Sequence, residues 1–206
     1  PIEQCEQAII YGAKIASESI DENADLICTG DMGIANTSSS AAIYSLLLDL
    51  PAEDTVGRGT GIDDMRLQKK IKIVNDAVKR FSNLRDEPFM VLSAVGGLEI
   101  AGICGAIIQA AAKKIPVIVD GFISGAAATV AIKAKKEIMD YCFFSHLSAE
   151  AGHAKALNAM GVRPLLNLDL RLGEGTGAAL AINLVTASIK IINGMASFSS
   201  AKISRE

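Results

Sequence analysis

Four short apolar runs punctuate this chain, and three of them stop at glycine. They are Asp25–Gly30, Phe89–Val95 (closed by Gly96 and Gly97), Ile115–Gly121 and the shorter Tyr141–Ser145. A brief, continuously apolar run bounded by turn residues reads as a strand buried on both faces. Helical sequence separates the runs. Residues 2–22 put Ile2, Cys5, Ala8, Ile9, Gly12, Ile15, Ala16 and Ile20 on one face. Further helices are predicted from Asn36 or Thr37 to Leu48, from Asp63 or Asp64 to about Phe81, and through small residues to Lys114. Others follow over Ala126–Lys136, Ala149–Met160 and Thr176 to about Met195. Pro51–Thr60 reads as a polar connection, and Leu165–Leu170 as a fifth short strand or an extended approach to the next loop. Strands that alternate with helices imply parallel pairing through right-handed crossovers. The expected fold is α/β, an open parallel sheet with helices on both faces in a Rossmann-like three-layer arrangement. Pro116 is tolerable there, near the start of a strand.

With no Trp, 4% aromatic residues and half the chain hydrophobic, the core must be aliphatic. The 206 residues hold no linker or repeat, which predicts one α/β domain over 1–206. A net charge of -3 with dispersed Lys and Arg argues against a nucleic-acid surface. No apolar run is read as reaching the ~18 residues of a membrane span. Cys5, Cys28, Cys104 and Cys142 are far apart, lie in apolar or amphipathic segments and form no CxxC. They read as buried free thiols, which predicts a cytoplasmic protein. His146 and His153 are too few and wrongly spaced for zinc, so no metal is expected. The opening Pro1, leading straight into helical sequence, predicts a further segment upstream.

The runs share an ending. Gly30-Asp31-Met32-Gly33, Gly96-Gly97-Leu98-Glu99, Asp120-Gly121 and Gly173-Glu174-Gly175 all follow strands or strand-like segments. In an open parallel sheet such ends gather on one edge, where ligands bind. Glycine turns there offer N–H groups to a phosphate. The acids Asp31, Glu99, Asp120 and Glu174 are suited to ribose hydroxyls or protons. Glu174, between glycines at the mouth of a helix, admits two readings: an acid that meets substrate, or one that merely favours the positive end of the helix dipole. No Gly-x-Gly-x-x-Gly follows an early strand, and there is no Gly-Lys-Ser/Thr P-loop and no nucleophile elbow. What remains suits a phosphorylated sugar. Lys69 and Lys70 lie on a charged helix, where either reads as solvated surface.

At this point the motifs carry a resemblance. Gly30-Asp-Met-Gly-Ile-Ala-Asn-Thr37, Gly57-Arg-Gly-Thr-Gly61, Val95-Gly-Gly-Leu-Glu-Ile-Ala-Gly102, Asp120-Gly-Phe122, Ser145-His146 and Arg171-Leu-Gly-Glu-Gly-Thr-Gly177 occur in one order. Together they resemble the nicotinate-nucleotide–dimethylbenzimidazole phosphoribosyltransferases of cobalamin lower-ligand assembly, from about Glu3 to Phe198. The resemblance implies phosphoribosyl transfer from nicotinate mononucleotide to 5,6-dimethylbenzimidazole, with no cofactor. It implies Glu174 as general base. It implies that Lys70 and Ser148 hold the 5′-phosphate with N–H groups at Gly33 and Gly121, and that Leu172 packs on the benzimidazole. Asp31, Glu99, Gly173 and Gly175 join the substrate-binding set by the same match. It further implies a homodimer, and a C-terminal helix contributing to a smaller helical domain. Two departures stand out. The family's N-terminal part, which supplies much of the aromatic-base pocket, is absent from this sequence, and Asp31 replaces the family's Glu. The alternative is a phosphosugar- or nucleotide-binding module without catalysis.

Overall fold

The three strands β1 (Ile27–Cys28), β2 (Val117–Val119) and β3 (Cys142–Phe144) pair in parallel, in the order β1-β2-β3. This computed structural model describes residues 1–59, 61–197 and 200–201, so Thr60 of the 51–60 connection and the Phe198 end of the resemblance lie outside it. Ile27 pairs with Val117, and Val117 with Cys142. All of β2 is buried, as the continuous run Val-Ile-Val requires of a central strand covered on both sides. Val117 and Val119 enter the main aliphatic core, while Ile118 faces the other way onto Ala178 and Ala181. The segment expected at 165–170 is an extended approach: it touches the sheet through one parallel bridge, His146 to Leu166. Leu147 N–H donates to Leu166 O at 2.8 Å, which keeps that approach alongside the chain leaving β3.

The helices are α1 (Ile2–Asp21), α2 (Thr37–Leu48), a short α3 (Ala52–Thr55), α4 (Asp64–Arg80) and α5 (Pro88–Val95). They continue with α6 (Leu98–Ala112), α7 (Gly121–Ala134), α8 (His153–Ala159) and α9 (Thr176–Gly194). Asp63 caps α4 as its sequence predicts, accepting from Arg66 N–H at 2.8 Å. The run 89–95 is not a strand. Pro88 at the first helical position carries a φ already set for a helix, and Val91 and Leu92 bury one side of the turn that follows. An apolar run of this length is ambiguous by periodicity alone. Helix α7 starts five residues earlier than its sequence implies, because Gly121 (φ 56) opens the helix rather than ending the strand. Residues Gly121 to Ala131 of α7 are all buried, so it is the central post of the core. Helix α8 is shorter than 149–160, since the chain turns at 149–152 first.

Two glycines weld α1 to α6. A Cβ on Gly12 would lie 1.8 Å from Gly102 O, and one on Gly105 would lie 1.9 Å from Ile9 O. Only bare backbone permits that approach. Cys5 and Cys104 are buried there as free thiols, but Cys28 is exposed and Cys142 half-buried, against the expectation that all four are interior.

Helix α9 covers the second face of the sheet. Ala178 and Ala181 are buried against Ile118, with Leu26, Leu166 and Val185 around them. At 19 residues and a mean hydropathy of 1.3, α9 is long and apolar enough to cross a bilayer, contrary to the sequence expectation. Length and composition carry that observation alone; Asn183 and Lys190 interrupt the apolar run within the helix, and its opening turns pack on the sheet. Its outer side leaves Leu180, Leu184, Ile189, Ile191 and Ile192 exposed.

Candidate active site at the carboxyl edge

Three chain segments converge where the strands end. Beyond β1 runs the loop 29–36, beyond β2 stand Asp120 and Gly121, and beyond β3 stand Ser145 and His146. The segment 171–177 then returns across all three. Its centre is held in a rare conformation: Gly173 (φ 77), Glu174 (φ 56) and Gly175 (φ 75) are left-handed in succession. For Glu174 this costs about 1–2 kcal/mol, which the surrounding contacts must offset.

Those contacts come from two sides. Glu174 N–H donates to Asp31 O at 2.8 Å. Gly30 lies against the same loop so closely that a Cβ there would be 2.5 Å from Gly175 N. From the other side the Asp120 carboxylate, 3% exposed, receives Gly175 N–H on Oδ2 (3.1 Å) and Ala178 N–H on Oδ1 (3.0 Å). A buried carboxylate thus takes the open amides at the mouth of α9, where the helix dipole favours negative charge. Glu174 does not serve that end. Its side chain is exposed, and its carboxylate has no hydrogen bond or ion pair among the described residues. Thr29 Oγ1 accepts from Asp120 N–H at 3.2 Å, anchoring the acid to β1.

Behind Asp120 lies a buried histidine pair. His146 Nδ1 is 2.8 Å from Ser145 Oγ and 3.6 Å from Asp120 Oδ1. Burial pushes the His146 pKa down, against the opposing pull of Asp120. His153 accepts from Ser148 N–H on Nδ1 at 2.9 Å, and burial, with His146 adding to it, lowers its pKa to about 3.

The remaining expected residues fall into two groups. Asp31 and Glu99 line one cleft of about 430 Å³ with Gly97 and Asn36. Glu99 reaches that cleft from the start of α6, behind a helix rather than a strand. Asp31 is committed to its own loop: Oδ1 accepts from Gly33 N–H (2.7 Å) and Asn36 Nδ2 (2.8 Å). The Gly33 amide expected on a phosphate is thereby occupied in this structure.

Lys70 is not a solvated surface charge. It is half-buried, and its ammonium donates to Thr37 Oγ1 and to Gly57 O, both at 2.9 Å. Burial lowers its pKa, while Glu150 acts to raise it. Glu150 N–H in turn donates to Ser148 Oγ at 3.2 Å, so Glu150 links the expected lysine to the expected serine. Gly121 packs on the His146 ring, a Cβ there coming 3.2 Å from Cε1. Leu172 is 62% exposed beside the Glu174 loop. Sequence reasoning gave no role to Thr37, Glu150, Thr29 or His146. Thr37 was marked only as a helix start and as the end of the Gly30–Thr37 motif, His146 only through the Ser145-His146 motif, and Thr29 and Glu150 carried no signal.

A parallel α/β sheet whose carboxyl edge collects a free carboxylate, a half-buried lysine and glycine turns defines a ligand-binding class of fold. Comparison with known proteins narrows it. The chain belongs to the phosphoribosyltransferase family, whose pattern it matches over residues 1–203. It is 54% identical over 200 residues to a nicotinate-nucleotide–dimethylbenzimidazole phosphoribosyltransferase of Chlorobium chlorochromatii, covering 97% of this chain and 56% of that protein. The Chloroflexus aurantiacus protein of the same name is 44% identical over 204 residues, 99% of this chain and 58% of its own length. The crystal structure of CobT from Thermus thermophilus superimposes with a TM-score of 0.92 at 42% identity, covering all of this chain and 61% of that one. The chain therefore spans little more than half the length of these relatives.

Proposed function

We propose that the protein transfers phosphoribosyl from nicotinate mononucleotide to 5,6-dimethylbenzimidazole, giving α-ribazole 5′-phosphate and nicotinate, with Glu174 as general base. A benzimidazole nitrogen forms the new bond to the ribose anomeric carbon as the bond to the pyridinium nitrogen breaks. The departing electron pair neutralises the pyridinium, so the leaving group needs no proton. The attacking ring becomes cationic, its other N–H turns acidic, and Glu174 takes that proton. The observation that carries this reading is the division of labour at the mouth of α9. Asp120 satisfies amides at that mouth, which leaves the Glu174 carboxylate exposed and without a hydrogen bond or ion pair among the described residues.

Lys70 and Ser148 are proposed for the 5′-phosphate, with Gly33 and Gly121 amides beside them. A dianion would favour the charged lysine that burial disfavours, and would compete with Glu150 for it. Leu172 offers an apolar surface to the benzimidazole, and Asp31, Glu99, Gly173 and Gly175 complete the walls. We also propose a cytoplasmic homodimer. The apolar residues exposed on α1 (Ile10, Tyr11, Ile15) and along α9 support an interface, and free cysteines suit a reducing compartment. Sedimentation of the intact protein at twice the subunit mass is the expected result.

The test is nicotinate release from the intact protein mixed with both substrates, for the parent and for Glu174→Gln. The variant keeps the shape of the acid and cannot accept the proton, so its rate should fall by about 10²–10⁴. Nicotinate mononucleotide binding and melting temperature should stay unchanged. Full turnover in the folded variant rejects the base assignment. Tight nucleotide binding without turnover in the parent favours the binding-module reading.

A further inference from the structure

We infer that Asp120 is a positioning residue for the proposed proton transfer, fixing the Glu174 carboxylate by holding the Gly175 and Ala178 amides on either side of the turn into α9. The inference rests on the reading of Glu174 as base and adds a residue that touches no reacting atom. Three consecutive left-handed residues form a turn that would not hold this shape unaided. Among the described residues, it is fastened to the rest of the chain at two points. One is the Asp31 carbonyl on Glu174 N–H, which is backbone to backbone. The other is the Asp120 side chain, which grips the residue directly after Glu174 and the second residue beyond Thr176.

The grip is built to be rigid. Asp120 follows the buried central strand, its own N–H is tied to Thr29 Oγ1, and its side chain is closed off from water. Gly177 makes room for it: a Cβ there would be 2.0 Å from His146 Nδ1 and 2.8 Å from Asp120 Oδ1. The acid thus transmits the position of β2 to the loop that carries Glu174. A base misplaced by about 1 Å loses on the order of 10²-fold in rate, so a residue of this kind acts on turnover and not on substrate capture.

Asp120→Asn in the intact protein tests it. Its amide nitrogen cannot accept, so one of the two amides loses its partner while the side-chain shape is kept. The expected result is a fall in kcat of about 10- to 100-fold with the KM for nicotinate mononucleotide unchanged. Hydrogen exchange over residues 173–178 should quicken while exchange in α7 does not. Combined with Glu174→Gln, the change should add no further loss, because its effect passes through Glu174. Thr29→Val removes the oxygen that receives the Asp120 N–H, together with its own 3.4 Å bond to Ile118 O, and leaves the Asp120 carboxylate in place; it reads the same contact, with a smaller fall in kcat, in a fold the Asn variant need not share. Unchanged kcat in both variants, or a loss that multiplies with that of Glu174→Gln, overturns the inference while the base assignment stands. Full turnover in Glu174→Gln alone overturns both.

Discussion

Val117 and Val119 turn one way from β2 into a core shared with α6 and α7, whereas Ile118 turns the other way and meets two alanines of α9. The first face is thick. It holds most of the buried side chains, the central helix α7 and the glycine weld between α1 and α6. The second face is thin, and α9, its one helix among the described residues, begins where the Glu174 loop ends. Stability is concentrated on one side of the sheet and the proposed chemistry hangs from the other. Changes in the thick face should therefore unfold the protein without altering the folded site, and changes at the mouth of α9 should do the reverse.

Acid should expose the thick face with the largest effect. His153 packs edge-on against Phe122 of α7, at 6.0 Å between ring centroids. Its folded pKa of about 3 lies below the 6.5 of a free imidazole. The unfolded chain thus binds the proton first. His153's contribution is intact above about pH 6.5 and drains as pH falls toward 3, each pH unit in that window costing about 1.4 kcal/mol. Denaturant titrations at several pH values should show that slope, and His153→Asn should flatten it. A slope equal in both proteins would take His153 out of the account.

Gly105→Ala comes next. Its Cβ would collide with Ile9 O, so a loss of about 3 kcal/mol is expected, with an unchanged KM and kcat in whatever fraction folds. A folded, stable variant with impaired turnover would join the two faces that the structure separates. On the thin side Ile118→Val should cost about 1 kcal/mol, read as a lowered melting temperature. The smallest effect has the opposite sign. Glu174→Gly removes a side chain from a left-handed backbone and should raise stability by up to about 1 kcal/mol while lowering turnover by about 10²–10⁴. Unchanged or lower stability would mean that the Glu174 side chain supports its own turn.

What could be read from the sequence was what is local. Gly30 and Asp120 stand just beyond two strand ends, as their runs implied, although Gly121 opens α7, and the spacing of α1, α2, α4 and α9 was plain. Phe89–Val95 misled because a seven-residue apolar run satisfies a buried strand and a half-buried helix equally, and only Pro88 pointed to the helix. Lys70 misled for a related reason. Its neighbours in sequence are charged, but its partners Thr37 and Gly57 are supplied by other parts of the chain. Asp120 stood out as an acid on the edge. Its bonds to amides 55 and 58 residues away have no trace in spacing, since nothing in the sequence says which strand end faces which helix mouth.

The stretch Gly173-Glu-Gly-Thr-Gly177 reads as one motif, yet its three glycines answer to three different neighbours. Gly173 yields to Asp31 O, Gly175 hands its amide to Asp120, and Gly177 clears His146. Each is a negative image of something elsewhere in the chain. Transplanted to another helix mouth, the pentapeptide would keep its letters and lose its meaning, because the information that shapes it is stored at residues 31, 120 and 146. A designer wishing to move this carboxylate into a new scaffold must therefore carry over a constellation of four segments, of which the visible motif is only one.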